Sequence, residues 1–475
     1  MRKFRSQTKI IATMGPACAS KEVLSQMIHE GIDVCRLNFS HGSHEAHLEM
    51  INLINELNAE LNTNVAILAD LQGPKIRIGD VENNGVQLID GNEILIVNEK
   101  CLGTAEKVYL SYPNFSSDVS IGDFILIDDG KLKLEVIDTN KVNTVRAKVV
   151  HGGILSSKKG VNLPNTKISL PSLTEKDLAD AEFALEHDVD FIALSFVRKV
   201  TDIVELKDII KKHKRTTRVI AKIEKPEALE DLEQIVDMSN GIMVARGDLG
   251  VEVPFDQVPL IQKQIVEMCI KQSKPVIIAT QMMESMITNF RPTRAEANDV
   301  ANAVMDGADA LMLSGETSVG KYPVDVVRSM QQIIDFTEVN GFTFYKNNPP
   351  HEFLRTFLPD SICCNASQMA QQTEAKAIIT FTFSGYTAHR ISGYRPKANI
   401  FVFTRNKELL RKMSLVWGVR AYYFDKYDTI DEAISYSIGF LKAKELIADE
   451  DIIVHVGSTP LYKKGQTNMM KLSYV

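Results

Sequence analysis

Several features that mark other classes of protein are missing from this chain of 475 residues. Its six cysteines form no C-x-x-C pair, which favours reduced thiols over a disulfide framework. No apolar run is long enough to span a bilayer, and the charged N-terminus is not followed by the apolar core of a signal peptide. A formal net charge of -7 lacks the basic excess of a nucleic-acid binder. We therefore expect a soluble cytoplasmic protein with no nucleic-acid or membrane partner.

The dominant pattern that is present is an alternation of short apolar runs with helix-like stretches. The length predicts two or three domains. Eight runs are nearly continuous in apolar residues, as strands covered on both faces should be, at 9–15, 33–40, 65–70, 191–196, 218–224, 241–248, 275–281 and 310–316. Eight strand–helix units favour a closed (β/α)₈ TIM barrel over the alternative, an open doubly wound sheet.

Two regions do not follow this pattern. From 73 to 169 the chain has short alternating strands and turn pairs, which predicts a small β-rich lid domain inserted after the third strand. From 340 to 475 the α/β alternation returns, which predicts a separate C-terminal α/β open-sheet domain. The predicted barrel is therefore built from residues 1–72 and 170–339.

Polar residues gather at the ends of the predicted strands, where a barrel carries its chemistry. In the stretch AKIEKPEAL, Lys222 and Glu224 are two apart on a strand, so their side chains point the same way. Asp248, in VARGDLG, is expected to close the next strand. Two carboxylates from neighbouring strands suit Mg²⁺ or Mn²⁺, and Lys222 could neutralise a phosphoryl group or an enolate. A structural Lys–Glu ion pair is the alternative.

The second strand ends in CRLNFSHGSHEAH, which offers further polar groups. Arg36 and Asn38 share a face, with Ser40 after them, and an arginine suits bidentate phosphate binding. The histidines at 41, 44 and 47 are spread around a helix, which favours solvated helix histidines over a zinc site, with His41 the exception because it starts the loop.

Two other turns carry polar residues. Thr280 ends the seventh strand and could orient a carboxylate, while Gly247 would let backbone amides approach a ligand. In the tail, Ser384, Gly385 and Thr387 stand at a strand-to-helix turn. This turn is either a phosphate-holding loop or a plain glycine turn with capping hydroxyls. There is no Walker A loop.

Nine stretches, taken together, form a specific combination: TKIIATMGPA, CRLNFSHGS, ADLQGPKIR, SKKGVNLP, DFIALSFVRK, AKIEKPEAL, GIMVARGDLGVE, VIIATQMMESMI and RPTRAEANDVANAVMDGADALMLSGETSVGKYP. With these stretches the chain resembles pyruvate kinases over essentially its whole length. The resemblance implies a barrel split by a lid, a C-terminal regulatory domain, a homotetramer, and transfer of a phosphoryl group from phosphoenolpyruvate to ADP, giving pyruvate and ATP.

The resemblance also implies roles for residues at matching positions. Catalytic roles fall to Lys222, Arg36, Arg77 and Thr280. The metal site for Mg²⁺ consists of Glu224 and Asp248. The phosphate and carboxylate of the substrate are held by Arg36, Lys222, Ala245, Arg246, Gly247, Asp248 and Thr280. The nucleotide side consists of Asn38, His41, Arg77 and Lys159. A monovalent cation, if bound, would be coordinated by Asn38, Ser40, Asp70 and Leu71. A phosphorylated effector is implied at Thr382, Ser384, Gly385 and Thr387.

Two departures from the common family pattern concern regulation and ions. Lys75 stands in GPKIR where many members carry glutamate, and this resembles the subset that works without K⁺. A fixed ammonium could replace the ion, which argues against a requirement for K⁺; the alternative is a surface lid residue. Phe383 and Tyr386 occupy the effector turn where users of fructose bisphosphate carry basic residues. AMP, a sugar monophosphate, fructose bisphosphate or no effector all remain open.

Two rival functions share parts of this pattern. A barrel lyase acting on a metal-bound enolate would use Lys222, Glu224 and Asp248 but would need neither the lid nor ADP. A catalytically dead metabolite-binding protein would have lost one of these three residues, and all three are present.

Overall fold

The computed structural model describes residues 6–164, 166–346, 348–350, 355–425, 429–459 and 467–475. The first part of the chain forms three parallel strands with two helices between them. The strands are β1 (Lys9–Thr13), β2 (Val34–Asn38) and β3 (Ala66–Asp70), and the helices are α1 (Lys21–Glu30) and α2 (His44–Leu61). Both helices begin at a serine, Ser20 or Ser43, whose side chain accepts a backbone N–H of the first turn.

A β-rich insert follows β3 and has a hydrophobic core of its own, from Ile76 to Leu163. Its elements are β4 (Gly85–Leu88), β5 (Glu93–Val97), β6 (Lys107–Tyr109), α3 (Phe115–Asp118), β7 (Phe124–Ile127), β8 (Leu132–Thr139), β9 (Thr144–His151), β10 (Gly153–Ser156) and β11 (Val161–Asn162). Six of these strands form one sheet in the order β11-β7-β8-β9-β5-β6. The predicted β-rich character of the insert is confirmed, and its boundaries at 73 and 169 stay a prediction.

Five more strands then complete the barrel. They are β12 (Phe191–Leu194), β13 (Arg218–Ile223), β14 (Gly241–Ala245), β15 (Val276–Ala279) and β16 (Ala310–Leu313). The helices around them are α4 (Glu175–Glu186), α5 (Val200–Lys212), α6 (Pro226–Glu230), α7 (Leu232–Met238), α8 (Arg246–Glu252), α9 (Val258–Gln272), α10 (Arg294–Asp306), α11 (Gly315–Ser318) and α12 (Pro323–Asn340).

The eight strands close in the order β1-β16-β15-β14-β13-β12-β3-β2, with every neighbouring pair parallel. The predicted TIM barrel is confirmed, and the alternative, an open doubly wound sheet, is wrong. Side chains such as Phe191, Met243 and Met312 fill the interior, while the opposite strand faces pack under the helices. Burial on both faces explains the nearly continuous apolar runs.

The C-terminal domain is a mixed five-stranded sheet flanked by helices. Its strands are β17 (Ala377–Phe381), β18 (Asn399–Thr404), β19 (Val419–Tyr423), β20 (Ile452–Gly457) and β21 (Met469–Tyr474), and its helices are α13 (Phe357–Gln372), α14 (Tyr386–Gly393), α15 (Lys407–Lys412) and α16 (Ile430–Ala443). The order is β19-β18-β17-β20-β21, with β21 antiparallel at one edge. This confirms the predicted α/β open sheet.

Candidate active site

The carboxyl ends of β2, β3, β12 and β13 bring together a cluster of charged side chains at one mouth of the barrel. Lys222 stands at its centre and is 9% exposed. Its Nζ lies 2.9 Å from Glu224 Oε1 and 3.2 Å from Asp70 Oδ1, and it donates to Ser195 Oγ at 2.7 Å. The predicted meeting of a cation and a carboxylate on one strand face is confirmed. Burial alone would lower the pKa of Lys222, but the two carboxylates outweigh it and hold that pKa above its ordinary value.

Asp70 pairs with a second cation on the other side. Arg36 Nε donates to Asp70 Oδ2 at 2.7 Å, and Arg36 Nη1 donates to Thr13 Oγ1 at 2.9 Å. Burial would raise the pKa of Asp70, but Lys222 and Arg36 together hold it below its usual value. Asp70 therefore stays ionised and fixes both cations at the mouth.

The carboxylate of Glu224 is oriented by the backbone of a neighbouring residue that has an unusual conformation. Phe196 donates its N–H to Glu224 Oε2 at 2.8 Å, and Phe196 adopts a left-handed conformation with φ of 53°. Gly73, where the chain leaves the barrel, packs so closely that a Cβ would come within 2.7 Å of the Phe196 ring. Strain of this kind persists where the surroundings over-determine it, and it clusters at functional sites.

Asp248 lies near Glu224 but not at the end of a strand. The expectation that it closes β14 is wrong, because β14 ends at Ala245 and Asp248 falls in the first turn of α8. There the helix N-terminus favours a negative charge. Burial raises the pKa of Glu224; the charge of Lys222 opposes this rise, and the charge of Asp248 adds to it, so the two carboxylates repel each other.

These two carboxylates fit a divalent cation. Glu224 Oε1 is buried and has no aligned hydrogen bond, although it lies beside Lys222 Nζ. Their mutual repulsion is what a divalent ion would relieve, and carboxylate oxygens are the ligands Mg²⁺ prefers. Within the described ranges, no cluster of three or more His, Cys, Asp or Glu side chains is arranged to hold a metal. The donor set thus suits Mg²⁺, which commonly takes one or two carboxylates and completes its shell with substrate oxygens and water.

The loops after β14 and β15 are joined at Thr280. Thr280 has φ of 70°, which a β-branched residue rarely adopts, and its Oγ1 accepts the N–H of Gly247 at 2.9 Å. Arg246 binds Asp299 through two parallel hydrogen bonds of 2.8 and 2.7 Å and donates to the Thr280 carbonyl. The guanidinium of Arg246 is therefore engaged within the protein, and only its backbone is left to face a ligand. The pairing with Asp299 was missed from the sequence.

Three cations from the insert and the barrel act on His41. Although His41 is exposed, partial desolvation of its ring lowers its pKa, and the positive charges of Arg77, Lys75 and Arg36 lower that pKa further. Arg77 Nη1 donates to the carbonyl of Lys158 at 3.1 Å. On the insert, Lys159 Nζ lies 2.9 Å from Asp128.

The candidate monovalent-cation ligands occupy adjacent strand ends but have partners within the protein. Asn38 Oδ1 accepts the N–H of Ser40 at 3.1 Å. The Leu71 carbonyl accepts the Ser195 hydroxyl at 2.7 Å, and Asp70 binds Arg36 and Lys222.

Two of the three neighbouring histidines are partly exposed and also pack on aromatic rings, so the expectation of solvated histidines is only partly correct for them. His44 Nε2 lies 2.8 Å from Asp180 Oδ1, and its ring stacks on Phe183. His47 stacks on Phe39. His41 is exposed, as a loop residue should be.

The predicted effector turn lies between β17 and α14. Thr382 Oγ1 accepts the N–H of Gly385, whose φ of 85° favours glycine at this position. Thr387 is buried, with its hydroxyl 2.8 Å from that of Thr467. The carbonyl of Ser384 accepts a hydrogen bond from Arg218, the first residue of β13. The turn is thus in contact with the strand that carries Lys222 at its other end.

Comparisons with known proteins agree along the whole chain. Residues 5–327 match the family "Pyruvate kinase, barrel domain", and residues 360–473 match "Pyruvate kinase, alpha/beta domain". A pyruvate kinase of Geobacillus stearothermophilus is 41% identical over 474 residues, covering 99% of this chain and 81% of the relative. One from Staphylococcus aureus is 40% identical over 470 residues, covering 99% and 80%. The crystal structure of a pyruvate kinase from Cryptosporidium parvum superimposes with a TM-score of 0.92 at 36% identity, covering 99% of this chain and 96% of that one.

The chain belongs to the pyruvate kinase family. It is an enzyme of glycolysis that transfers the phosphoryl group of phosphoenolpyruvate to ADP, giving pyruvate and ATP. In the described part of the chain, no helix has the length and apolarity needed to cross a membrane.

Proposed function

We propose that Lys222 faces the phosphoryl group as it leaves phosphoenolpyruvate and stabilises the enolate left behind. The observation that carries this proposal is the buried ammonium of Lys222 held between Asp70 and Glu224. Phosphoryl transfer depends on positioning and charge neutralisation more than on covalent chemistry by the protein. Arg36 and Arg77 supply further positive charge to the phosphate.

Glu224 and Asp248 hold a divalent cation, Mg²⁺ or Mn²⁺, in this proposal. When bound, the ion neutralises charge on the phosphate and enolate oxygens. The fit rests on two nearby carboxylates, one with an oxygen lacking an aligned hydrogen bond. The family's general use of a divalent metal supports the assignment.

The remaining contacts divide between the two substrates. The backbone of Ala245, Arg246 and Gly247, with the hydroxyl of Thr280, orients the carboxylate of phosphoenolpyruvate. The nucleotide is held by Asn38, His41, Arg77 and Lys159. Lys159 would exchange Asp128 for a phosphate, because their ion pair is partly exposed.

The metal assignment is tested by measuring Mn²⁺ binding directly. Glu224→Gln removes one charge and one strong ligand, so we expect Mn²⁺ affinity, read by electron paramagnetic resonance, to fall at least about 10-fold. Glu284→Gln, a glutamate outside the proposed site, is the control and should bind as the original chain does. Unchanged affinity in a folded Glu224→Gln protein would move the metal elsewhere.

Lys75 is proposed to replace a bound K⁺. Its charge reaches His41 together with those of Arg36 and Arg77, so a fixed cation already lies near the mouth. In buffer free of Na⁺ and K⁺, with tetramethylammonium supplying ionic strength, we expect near-full activity. Strong activation by K⁺ would contradict the replacement and favour a cation at Asn38, Ser40, Asp70 and Leu71.

The assembly and its control are also proposals. We place the enzyme in the cytoplasm as a homotetramer, with the boundaries 1–72, 73–169, 170–339 and 340–475 for its segments. A phosphorylated effector would bind at Thr382, Ser384, Gly385 and Thr387. Titrating AMP and sugar phosphates into the assay identifies it, and a lack of response to all of them would remove the effector site.

A further inference from the structure

One buried carboxylate links the sheet of the β-rich insert to the barrel. Glu252, the last residue of α8, is 4% exposed. Its Oε1 accepts a hydrogen bond from Asn162 Nδ2 of the insert at 2.8 Å and another from Lys225 Nζ at 2.6 Å. Its Oε2 is buried and accepts no hydrogen bond from the described residues. One oxygen thus holds both the insert and the barrel.

Both barrel partners in this contact adjoin a proposed metal ligand. Lys225 directly follows Glu224, and Glu252 lies one helical turn after Asp248 on α8. A cavity between the insert and the barrel is lined by Asn162, Lys225, Asp248 and Glu252, together with Lys75. Asn162 therefore contacts the elements that position the two carboxylates of the site.

The contact differs from those at the ends of the insert. Where the chain enters, the N–H of Gly73 bonds to Asp177 Oδ1 at 2.9 Å. Where it returns, Arg198 donates to the carbonyls of Ile168 and Leu170 at 2.6 Å each. These bonds hold the connecting backbone at the two ends of the insert. Asn162 lies in strand β11 of the insert sheet, so its bond to Glu252 ties the sheet itself to the barrel.

We propose that Glu252 is a positioning residue that latches the insert over the site through Asn162 and so excludes water during phosphoryl transfer. The proposal rests on the proposed function, since it concerns which acceptor reaches the phosphoryl group. Closure that removes water protects a reactive group from hydrolysis.

A loosened latch has a defined chemical consequence. Water can replace ADP as the acceptor, so that the phosphorus–oxygen bond of phosphoenolpyruvate breaks and a new one forms to the water oxygen. One water proton ends on the methyl carbon of pyruvate and the other on inorganic phosphate. The products are pyruvate and phosphate with no ATP. Excess pyruvate over ATP is a readout that a merely structural role would not move.

The experiment measures pyruvate and ATP separately in one reaction with Mg²⁺, phosphoenolpyruvate and ADP. Asn162→Ala removes the donor from the insert but leaves the Lys225–Glu252 ion pair. We expect pyruvate to exceed ATP, kcat to fall about 10- to 100-fold through misplacement of the insert, and KM for phosphoenolpyruvate to change little. Asn92→Ala, an exposed asparagine elsewhere in the insert, is the matched control and should keep the 1:1 ratio.

A second variant tests whether Asn162 and Glu252 act together. Glu252→Ala removes the acceptor of both Asn162 and Lys225, and Asn162→Ala added to it should cause little further loss if the two share one contact. If Glu252→Ala does not fold, Asn162→Ala decides alone. A 1:1 ratio with unchanged kcat in Asn162→Ala overturns the latch. If the original chain makes no pyruvate from phosphoenolpyruvate and ADP, the proposed function fails instead.

Discussion

An aspartate or asparagine stands directly before every second strand of the barrel, at the end opposite the candidate site. Each accepts a backbone N–H from the strand before it in the barrel, at 2.9 to 3.1 Å; the bonds are Ile10 to Asp33, Ile67 to Asp190, Val219 to Asn240 and Val276 to Asp309. Backbone amides at the starts of the strands are thereby satisfied by the protein itself.

The charged groups at the mouth of the barrel have a different environment. Oxygens of Asp70 and Glu224 lie beside Lys222 without an aligned hydrogen bond, and Phe196 and Thr280 have strained backbones. At the end opposite the mouth, called here the lower end, the four Asp and Asn side chains bind backbone N–H groups, and Asp190 and Asp309 also bind arginines of the C-terminal domain. At the mouth, the charged side chains instead pair with one another. In TIM barrels the chemistry is placed at the carboxyl ends of the strands, and the opposite end serves stability.

The largest effect expected at the lower end comes from Asp309. Asp309 binds Arg395 at 2.7 Å and the N–H of Trp417 at 3.1 Å, so Asp309→Ala leaves a buried arginine without an opposite charge. We expect the free energy of unfolding to fall by about 3–5 kcal/mol. Trp417 is the single tryptophan, and its fluorescence in a denaturant titration reports this loss.

The same Asp309→Ala protein should keep its turnover once folded, because Asp309 lies far along the strands from the mouth. A variant with a normal unfolding midpoint and lost turnover would reverse the roles that we assign to the two ends.

A smaller effect depends on pH. Burial raises the pKa of Asp190 to about 6, although Arg411 opposes this. Between pH of about 4 and 6 the folded protein holds this proton and the unfolded chain has lost it, so stability falls as the pH rises through this range. The change is up to about 3 kcal/mol. The advantage of the original chain over Asp190→Asn in denaturant titrations should therefore shrink from pH 4.5 to pH 7.

Asn240→Ala is the matched control for this pH dependence. Asn240 makes the same bond to a neighbouring strand but does not titrate, so its loss should cost about 1 kcal/mol at every pH. A pH-independent difference for Asp190→Asn would show that burial does not shift the pKa as described.

The sequence predicts the mouth better than the lower end for a physical reason. Lys222 and Glu224 follow from the two-residue period of a strand, which is local. At the lower end, the bond from Ile67 to Asp190 spans 123 residues. At the mouth, the bond from Arg246 to Asp299 was missed for the same reason, since it spans 53 residues. The sequence does show an Asp or Asn directly before alternate strands, which could have marked these residues. Which backbone N–H each one binds depends on which strands become neighbours in the barrel. The helical placement of Asp248 was missed because GDLG reads equally as a strand end or a helix start.

The central claim is that buried charge serves chemistry at the mouth and stability at the lower end. Two buried lysines test it, because Lys222 lies at the mouth, whereas Lys9 donates to the Val419 carbonyl of the C-terminal domain at 3.0 Å. The measurement is ADP-dependent pyruvate formation per folded molecule in Lys222→Met and Lys9→Met. We predict a loss of about 10³–10⁵-fold for Lys222→Met and near-normal turnover with a lower unfolding midpoint for Lys9→Met. Near-normal turnover in a well-folded Lys222→Met protein would contradict the account.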